Sequence, residues 1–141
     1  SRYVGYYQTL LTHHIPFDYR YVHPSTQTEE EGNRIMNDIL KEEDPPTAIF
    51  CANDCTALGV LRSLKKGRKK NYFPSVIAID NIRKSAKTSP MLTTIDIPKQ
   101  ELAHFALLLL LDQQKKAHKE YVRIELPCRL IERDSCTYAP S

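Results

Sequence analysis

Two short apolar runs in this chain each end in polar side chains that can hold a ligand. Ala48-Ile-Phe-Cys-Ala52 is followed by Asn53 and Asp54, and Ser75-Val-Ile-Ala-Ile79 is followed by Asp80. Uncharged runs of this length suit strands covered on both faces. In open α/β sheets, ligands bind beyond the carboxyl ends of the strands, which is where these groups fall. An amide both donates and accepts, and a carboxylate accepts from two donors at once. The chemistry on offer is hydrogen-bonded recognition of a small polar molecule. A local explanation stands beside it: Asp54 caps the following helix, Asn53 shapes the break, and Asp80 opens a turn with Asn81. The residue types alone leave that choice open.

Covalent chemistry has less to work with. Asp54 and Asp80 could be read as a hydrolytic carboxylate pair, but no nucleophile accompanies them. No serine elbow, phosphate loop or Cys/His arrangement occurs. The expectation is a protein that is not an enzyme, with no catalytic residues and no cofactor. Metal binding is not expected either. The four cysteines stand at 51, 55, 128 and 136, and Cys51-x3-Cys55 departs from zinc-finger spacing. Adjacent His13 and His14 diverge by about 100° on a helix, so they share no metal. Cys55, at a helix start, could have an acidified thiol, but it reads as a buried and inert one. Four cysteines in a chain of 141 residues fit a reduced compartment better than a disulfide framework.

A chain of 141 residues, 41% hydrophobic and 26% charged, is long enough and apolar enough for one globular core. A formal charge of +3 is too small to argue for nucleic-acid binding. The basic cluster Lys65-Lys-Gly-Arg-Lys-Lys70 reads as a helix C-terminus, where cations are favoured and Gly67 stops the helix. The longest apolar run, Phe105–Leu111, is too short to span a bilayer. No leader precedes Ser1, but the chain does not open on Met and is expected to be a piece of a longer protein.

The elements that carry the candidate groups follow from periodicity. Tyr3, Tyr6, Tyr7, Leu10 and Leu11 predict a helix over 2–14, ended by Pro16. Phe17–Val22 reads as a strand. Thr28-x-x-Glu31 is a capping-box pattern ahead of a helix over 29–42, with Ile35, Met36, Ile39 and Leu40 as its apolar face. A helix over 55–66 turns Ala57, Leu58, Leu61 and Leu64 inward. Pro90–Ile95 is a third apolar strand, and Pro98 opens a helix running to Lys116. Tyr121–Leu126 alternates as a strand does, and Cys128–Glu132 supplies another. The alternation of helix and strand predicts an α/β fold, three-layer αβα with a mainly parallel sheet.

Six segments then fall in one register: Arg2-Tyr-Val-Gly-Tyr6, Pro46-Thr-Ala-Ile-Phe-Cys-Ala-Asn-Asp54, Ala57-Leu-Gly59, Val76-Ile-Ala-Ile-Asp-Asn81, Pro90-Met-Leu-Thr-Thr-Ile95 and Leu130-Ile-Glu-Arg-Asp-Ser135. Together they cover nearly the whole chain. It resembles the C-terminal half of the effector-binding region of LacI/GalR-type bacterial transcription repressors. The resemblance implies a type I periplasmic-binding-protein-like fold lacking most of the N-terminal subdomain. Residues 1–89 and 119–136 would be C-terminal subdomain, and 90–118 the crossing strand and helix that the family assigns to the other. The DNA-binding domain would lie outside this chain, so operator DNA would be bound only through that segment.

The resemblance also implies that Arg2, Asn53 and Asp80 contact the effector, a sugar or nucleobase-like metabolite. Asp54 would then be the cap. Gln27 occupies a position where many members stack an aromatic ring, and Lys99 one where some sugar-responsive members carry an aromatic. Ala78 replaces a glycine common before the aspartate. A cytoplasmic homodimer is implied, with no membrane attachment. A sugar-binding protein of a transport system, built on the same fold, is the alternative. With the first subdomain absent, Phe105 and Leu107–Leu111 should form an exposed apolar patch. Self-association, or burial within a longer protein, is expected to cover it.

Overall fold

The computed structural model describes residues 1–67, 71–115 and 120–137. Arg68–Lys70 of the basic cluster, Lys116 at the expected end of the last helix and Lys119 lie outside the described residues. Four helices, α1 (Arg2–Thr12), α2 (Glu29–Ile39), α3 (Asp54–Lys66) and α4 (Lys99–Gln114), accompany four strands, β1 (Ala48–Phe50), β2 (Ser75–Ile79), β3 (Thr93–Asp96) and β4 (Arg129–Ile131). The strands form one sheet in the order β1-β2-β3-β4. β1 pairs with β2 and β2 with β3 in parallel, while β4 joins β3 antiparallel. The sheet is therefore mixed but mainly parallel, as the alternation predicts.

Alternation on β2 decides which face is buried. Val76 and Ala78 are fully buried, whereas Ser75, Ile77 and Ile79 are half-buried. Val76 and Ala78 meet Met36 and Ile39 of α2 and Ala57, Val60 and Leu61 of α3, with Cys51 and Leu92 closing the cluster. The predicted inner faces of α2 and α3 are thus the ones that make the core. The two helices approach so closely that each presents a glycine to the other. A Cβ at Gly32 would lie 2.1 Å from the Thr56 carbonyl oxygen, and one at Gly59 would lie 1.9 Å from that of Glu29.

The start of α2 is half of a capping box. Thr28 Oγ1 accepts from the Glu31 amide at 3.2 Å. The Glu31 carboxylate does not reach back, because Arg34 holds it with two bonds of 3.1 and 2.9 Å.

Two predicted strands are absent. Phe17–Val22 contains instead a short 3-10 turn, Tyr19–Tyr21. Asp18 accepts from the Arg20 amide at 2.9 Å, a local bond that competes with any ladder. Its aromatic composition serves a different purpose: Phe17 meets Tyr7 of α1 at 5.1 Å and Tyr19 at 4.8 Å, edge to face. Tyr121–Leu126 belongs to no strand among the described residues, and Tyr121, Val122 and Ile124 are exposed. Alternation permits a strand but does not require one: this segment pairs with neither β1 nor β4, the two edges of the sheet.

α4 has no buried residue, and Leu102, Leu107, Leu108, Leu110 and Leu111 are exposed. The expected apolar surface is present. No helix among the described residues is long and apolar enough to cross a membrane.

The chain returns to the sheet through Ser135. Its hydroxyl accepts from the Thr93 amide at 2.7 Å and donates to the Val76 carbonyl at 2.6 Å, bridging β2 and β3 where they begin. Ser135→Ala strips a buried amide of its acceptor. A loss of about 1–3 kcal/mol is expected in urea denaturation, with an unchanged m-value.

Candidate functional site

The parallel register sets the geometry of the candidate site. Phe50 on β1 is opposite Ile77 on β2, so Asn53 and Asp80 each lie three residues beyond a matched pair (53 − 50 and 80 − 77). Both leave the carboxyl end of the sheet side by side.

At the end of β2 the backbone turns through the left-handed region, with φ of 126° at Asp80 and 48° at Asn81. Asn tolerates such angles; for Asp at 126° they are a strain, of a kind that the surrounding structure must impose. Asp80 is 28% exposed, and its Oδ1 lies 3.3 Å from Nη2 of Arg2, 38% exposed, at the start of α1. Residues 78 positions apart in sequence are thereby joined. Burial pushes the Asp80 carboxyl above the usual carboxylate range. Arg2 opposes that shift, the nearby Asp54 charge reinforces it, and Lys99 opposes it in turn.

Asn53 and Gln27 form the second part. The Asn53 amide donates to the Gln27 carbonyl at 3.0 Å, and Gln27 is itself in the left-handed region with φ of 63°. Asn53 and Asp80 are half-buried, while the Arg2 and Gln27 side chains are exposed. The structure thus brings Arg2 to Asp80 and Gln27 to Asn53 on adjacent strand ends.

The capping role expected of Asp54 falls to Asn53 instead. Asn53 is the cap of α3: its backbone is extended, with φ −151° and ψ 167°, and its Oδ1 accepts from the Thr56 amide at 2.9 Å and from the Thr56 hydroxyl at 2.7 Å. This does not use up the amide, because only one of its two N–H groups goes to Gln27. Asp54 is not the cap. It stands in the first turn of α3, fully buried. Its carboxylate accepts from the Ile82 amide at 2.9 Å, the Ser85 hydroxyl at 2.5 Å and the Thr94 hydroxyl at 2.5 Å.

Four further residues surround Asp80. Lys99 Nζ donates to the Asp80 carbonyl oxygen and lies 3.8 Å from Asp96 Oδ1. Asn81 donates to Asp96 Oδ1 at 3.0 Å, and Arg133 donates to Asn81 Oδ1 at 2.8 Å and to the Leu92 carbonyl at 2.7 Å. Asp96 and Arg133 carry no sequence signal of their own. Arg133 lies within the Leu130–Ser135 segment; antiparallel β4 sets its backbone beside the start of β3, and only its long side chain reaches Asn81.

Cys51 is buried, which pushes its thiol up to about 12 and makes it inert. Cys55, in contrast, is exposed rather than buried, because it falls on the outer side of the first turn of α3. No group of three or more His, Cys, Asp or Glu side chains among the described residues could hold a metal ion.

Residues 1–136 match the family model described as a periplasmic binding protein-like domain. The HTH-type transcriptional repressor CytR of Escherichia coli K12 is 38% identical over 137 residues, which are 96% of this chain and 40% of that repressor. A putative LacI transcriptional regulator from Bacillus cereus subsp. cytotoxis superposes with a TM-score of 0.88 at 28% identity, over 96% of this chain and 49% of the other. A LacI family transcriptional regulator from Enterococcus faecium with bound ribose gives a TM-score of 0.79 at 32% identity, over 93% of this chain and 49% of the other. The chain thus spans less than half the length of these relatives.

Proposed function

The chain belongs to the periplasmic binding protein-like domain family, in its LacI-type form, and from that premise we propose that it is the effector-sensing part of a transcription regulator. The observation that carries this reading is the Arg2–Asp80 pair at the end of β2, set beside Asn53 and Gln27 at the end of β1. The effector is a sugar or a nucleobase-like metabolite, and the ribose held by the Enterococcus faecium relative supports a sugar.

Adjacent hydroxyls of the effector displace the Arg2 guanidinium from Asp80, which accepts from both. Arg2 then donates to a ligand oxygen, and Asn53 offers the N–H that Gln27 leaves free. Gln27 presents an amide where a ring would stack, so this effector is held by its polar edge more than by its face. The rest of the cleft comes from a second subdomain in the full-length protein. Effector binding shifts the equilibrium between two subdomain angles, and so the spacing of two DNA-binding heads in a cytoplasmic homodimer.

Calorimetric titration and thermal shift of the full-length protein with D-ribose, adenine and adenosine test this. One class is expected to raise the melting temperature, by the equivalent of about 2.7 kcal/mol at a hundred times its Kd, and to be recovered unchanged. Operator binding should respond to the same compound. Silence towards all sugars and nucleobases, or turnover of the bound one, would sink the reading.

A further inference from the structure

We propose that Asp54 is the positioning residue of this site: buried behind the strand ends, it fixes the turn that aims Asp80. The inference rests on the reading that Asp80 meets the effector. Asp54 itself is fully buried, so its part is played through backbone. Its Oδ2 takes the Ile82 amide, two residues beyond Asp80, together with the Ser85 hydroxyl. Its Oδ1 takes the Thr94 hydroxyl proton at 2.5 Å. That bond turns the remaining lone pairs of Thr94 Oγ1 outward, and one of them accepts the Asn81 amide at 3.3 Å.

Asn81 and Ile82 are therefore both anchored to Asp54, one directly and one through Thr94. On the other side, the Asp80 amide is held by the Ile95 carbonyl at 2.9 Å. With the backbone pinned on both sides, Asp80 has no route out of its left-handed conformation at φ 126°. The donors come from β3 and from the loop around the 3-10 turn Ser85–Lys87, while Asp54 belongs to α3. One carboxylate thus ties three separate segments to the strand end that carries the ligand-binding group. Ser85 and Thr94 are themselves fully buried, so water cannot replace either bond.

The test uses isotope-labelled chain with Asp54→Asn and, in case that variant fails to fold, Thr94→Val. Amide–Hα couplings of Asp80 and Asn81 report the turn, and cross-peaks of Met36, Ile39 and Val76 report the core. D-ribose is the binding probe, titrated into full-length protein carrying the same substitutions. The expected result is loss of the left-handed couplings at Asp80 with an undisturbed core, and about tenfold weaker D-ribose binding. Retained couplings with unchanged affinity would overturn the proposal. So would core peaks that shift together with the turn, since Asp54 would then be merely structural. If wild-type protein does not bind D-ribose while Asp54→Asn still releases the turn, the positioning role stands and the sugar reading fails.

Discussion

Gly59→Ala is expected to lower the melting temperature of this chain by about 10 °C, from a loss near 3 kcal/mol, at the upper end of what one added methyl costs. The atoms that the new Cβ would meet are the Glu29 carbonyl oxygen at 1.9 Å and the Asn33 amide nitrogen at 2.6 Å. Both are backbone, so no side chain can swing away and the helices must part. Parting them disturbs more than one contact. The buried Met36 and Ile39 lie on α2, and Ala57, Val60 and Leu61 on α3, in one shared core cluster. Glu29 also holds Arg62 at 3.1 Å and Lys84 at 2.7 Å, so the displacement reaches the loop after β2. Gly5→Ala supplies the contrast. Nothing lies within 4 Å of a Cβ at Gly5, and alanine is the better helix former by about 1 kcal/mol. Scanning calorimetry of both variants should give shifts of opposite sign. Equal small shifts would mean that α2 and α3 are not in contact through their backbones.

The same crossing shows what a sequence can and cannot announce. Met36, Ile39, Ala57 and Leu61 are legible because helical period alone brings them to one face. Val76–Asp80 is legible because an apolar strand that ends in a carboxylate is a local pattern. The choice of Asn53 over Asp54 as the cap is not local. Both residue types cap helices well, and their order along the chain does not say which of them the extended backbone ends on. The decision is made by the Ser85 and Thr94 hydroxyls, 31 and 40 positions away, which need a buried acceptor and find it in Asp54. Phe17–Val22 failed for a related reason. Its aromatic content suits a pleat, but Tyr3, Tyr6 and Tyr7 offer Phe17 a closer set of rings. Arg2 was marked only by family resemblance, since a guanidinium next to a chain end has no pattern around it. Its partner Asp80 could be named only once α1 was placed against the end of β2.

Asp80→Gly is expected to do opposite things to binding and to stability. Removing the carboxylate takes away charge-assisted hydrogen bonds to the effector, a weakening of about 10- to 100-fold for the D-ribose probe. The fold should not suffer. Glycine accepts φ of 126° freely, which relieves about 1–3 kcal/mol of strain, against about 1 kcal/mol for the greater freedom of glycine in the unfolded chain. The Arg2 bridge that is lost is partly exposed and contributes about 0–1 kcal/mol. A small net gain in melting temperature follows. The dependence on pH fixes the cause. Burial raises the Asp80 carboxyl in the folded chain, so the native state binds its proton more tightly than the unfolded state does. Stability from this group is then present in acid and is lost as pH rises from the ordinary carboxylate range through the raised value. The advantage of Asp80→Gly should accordingly be larger at neutral pH than in acid. Asp80→Asn separates the two contributions, since it removes the charge and keeps a side chain at the strained angle. Its stability should lie between those of the other two at neutral pH and match wild type in acid. A site residue whose loss leaves the fold no weaker, and whose charge the fold resists, is maintained for what it binds. A clear fall in the stability of Asp80→Gly across the whole pH range would instead make Asp80 a structural residue of the turn.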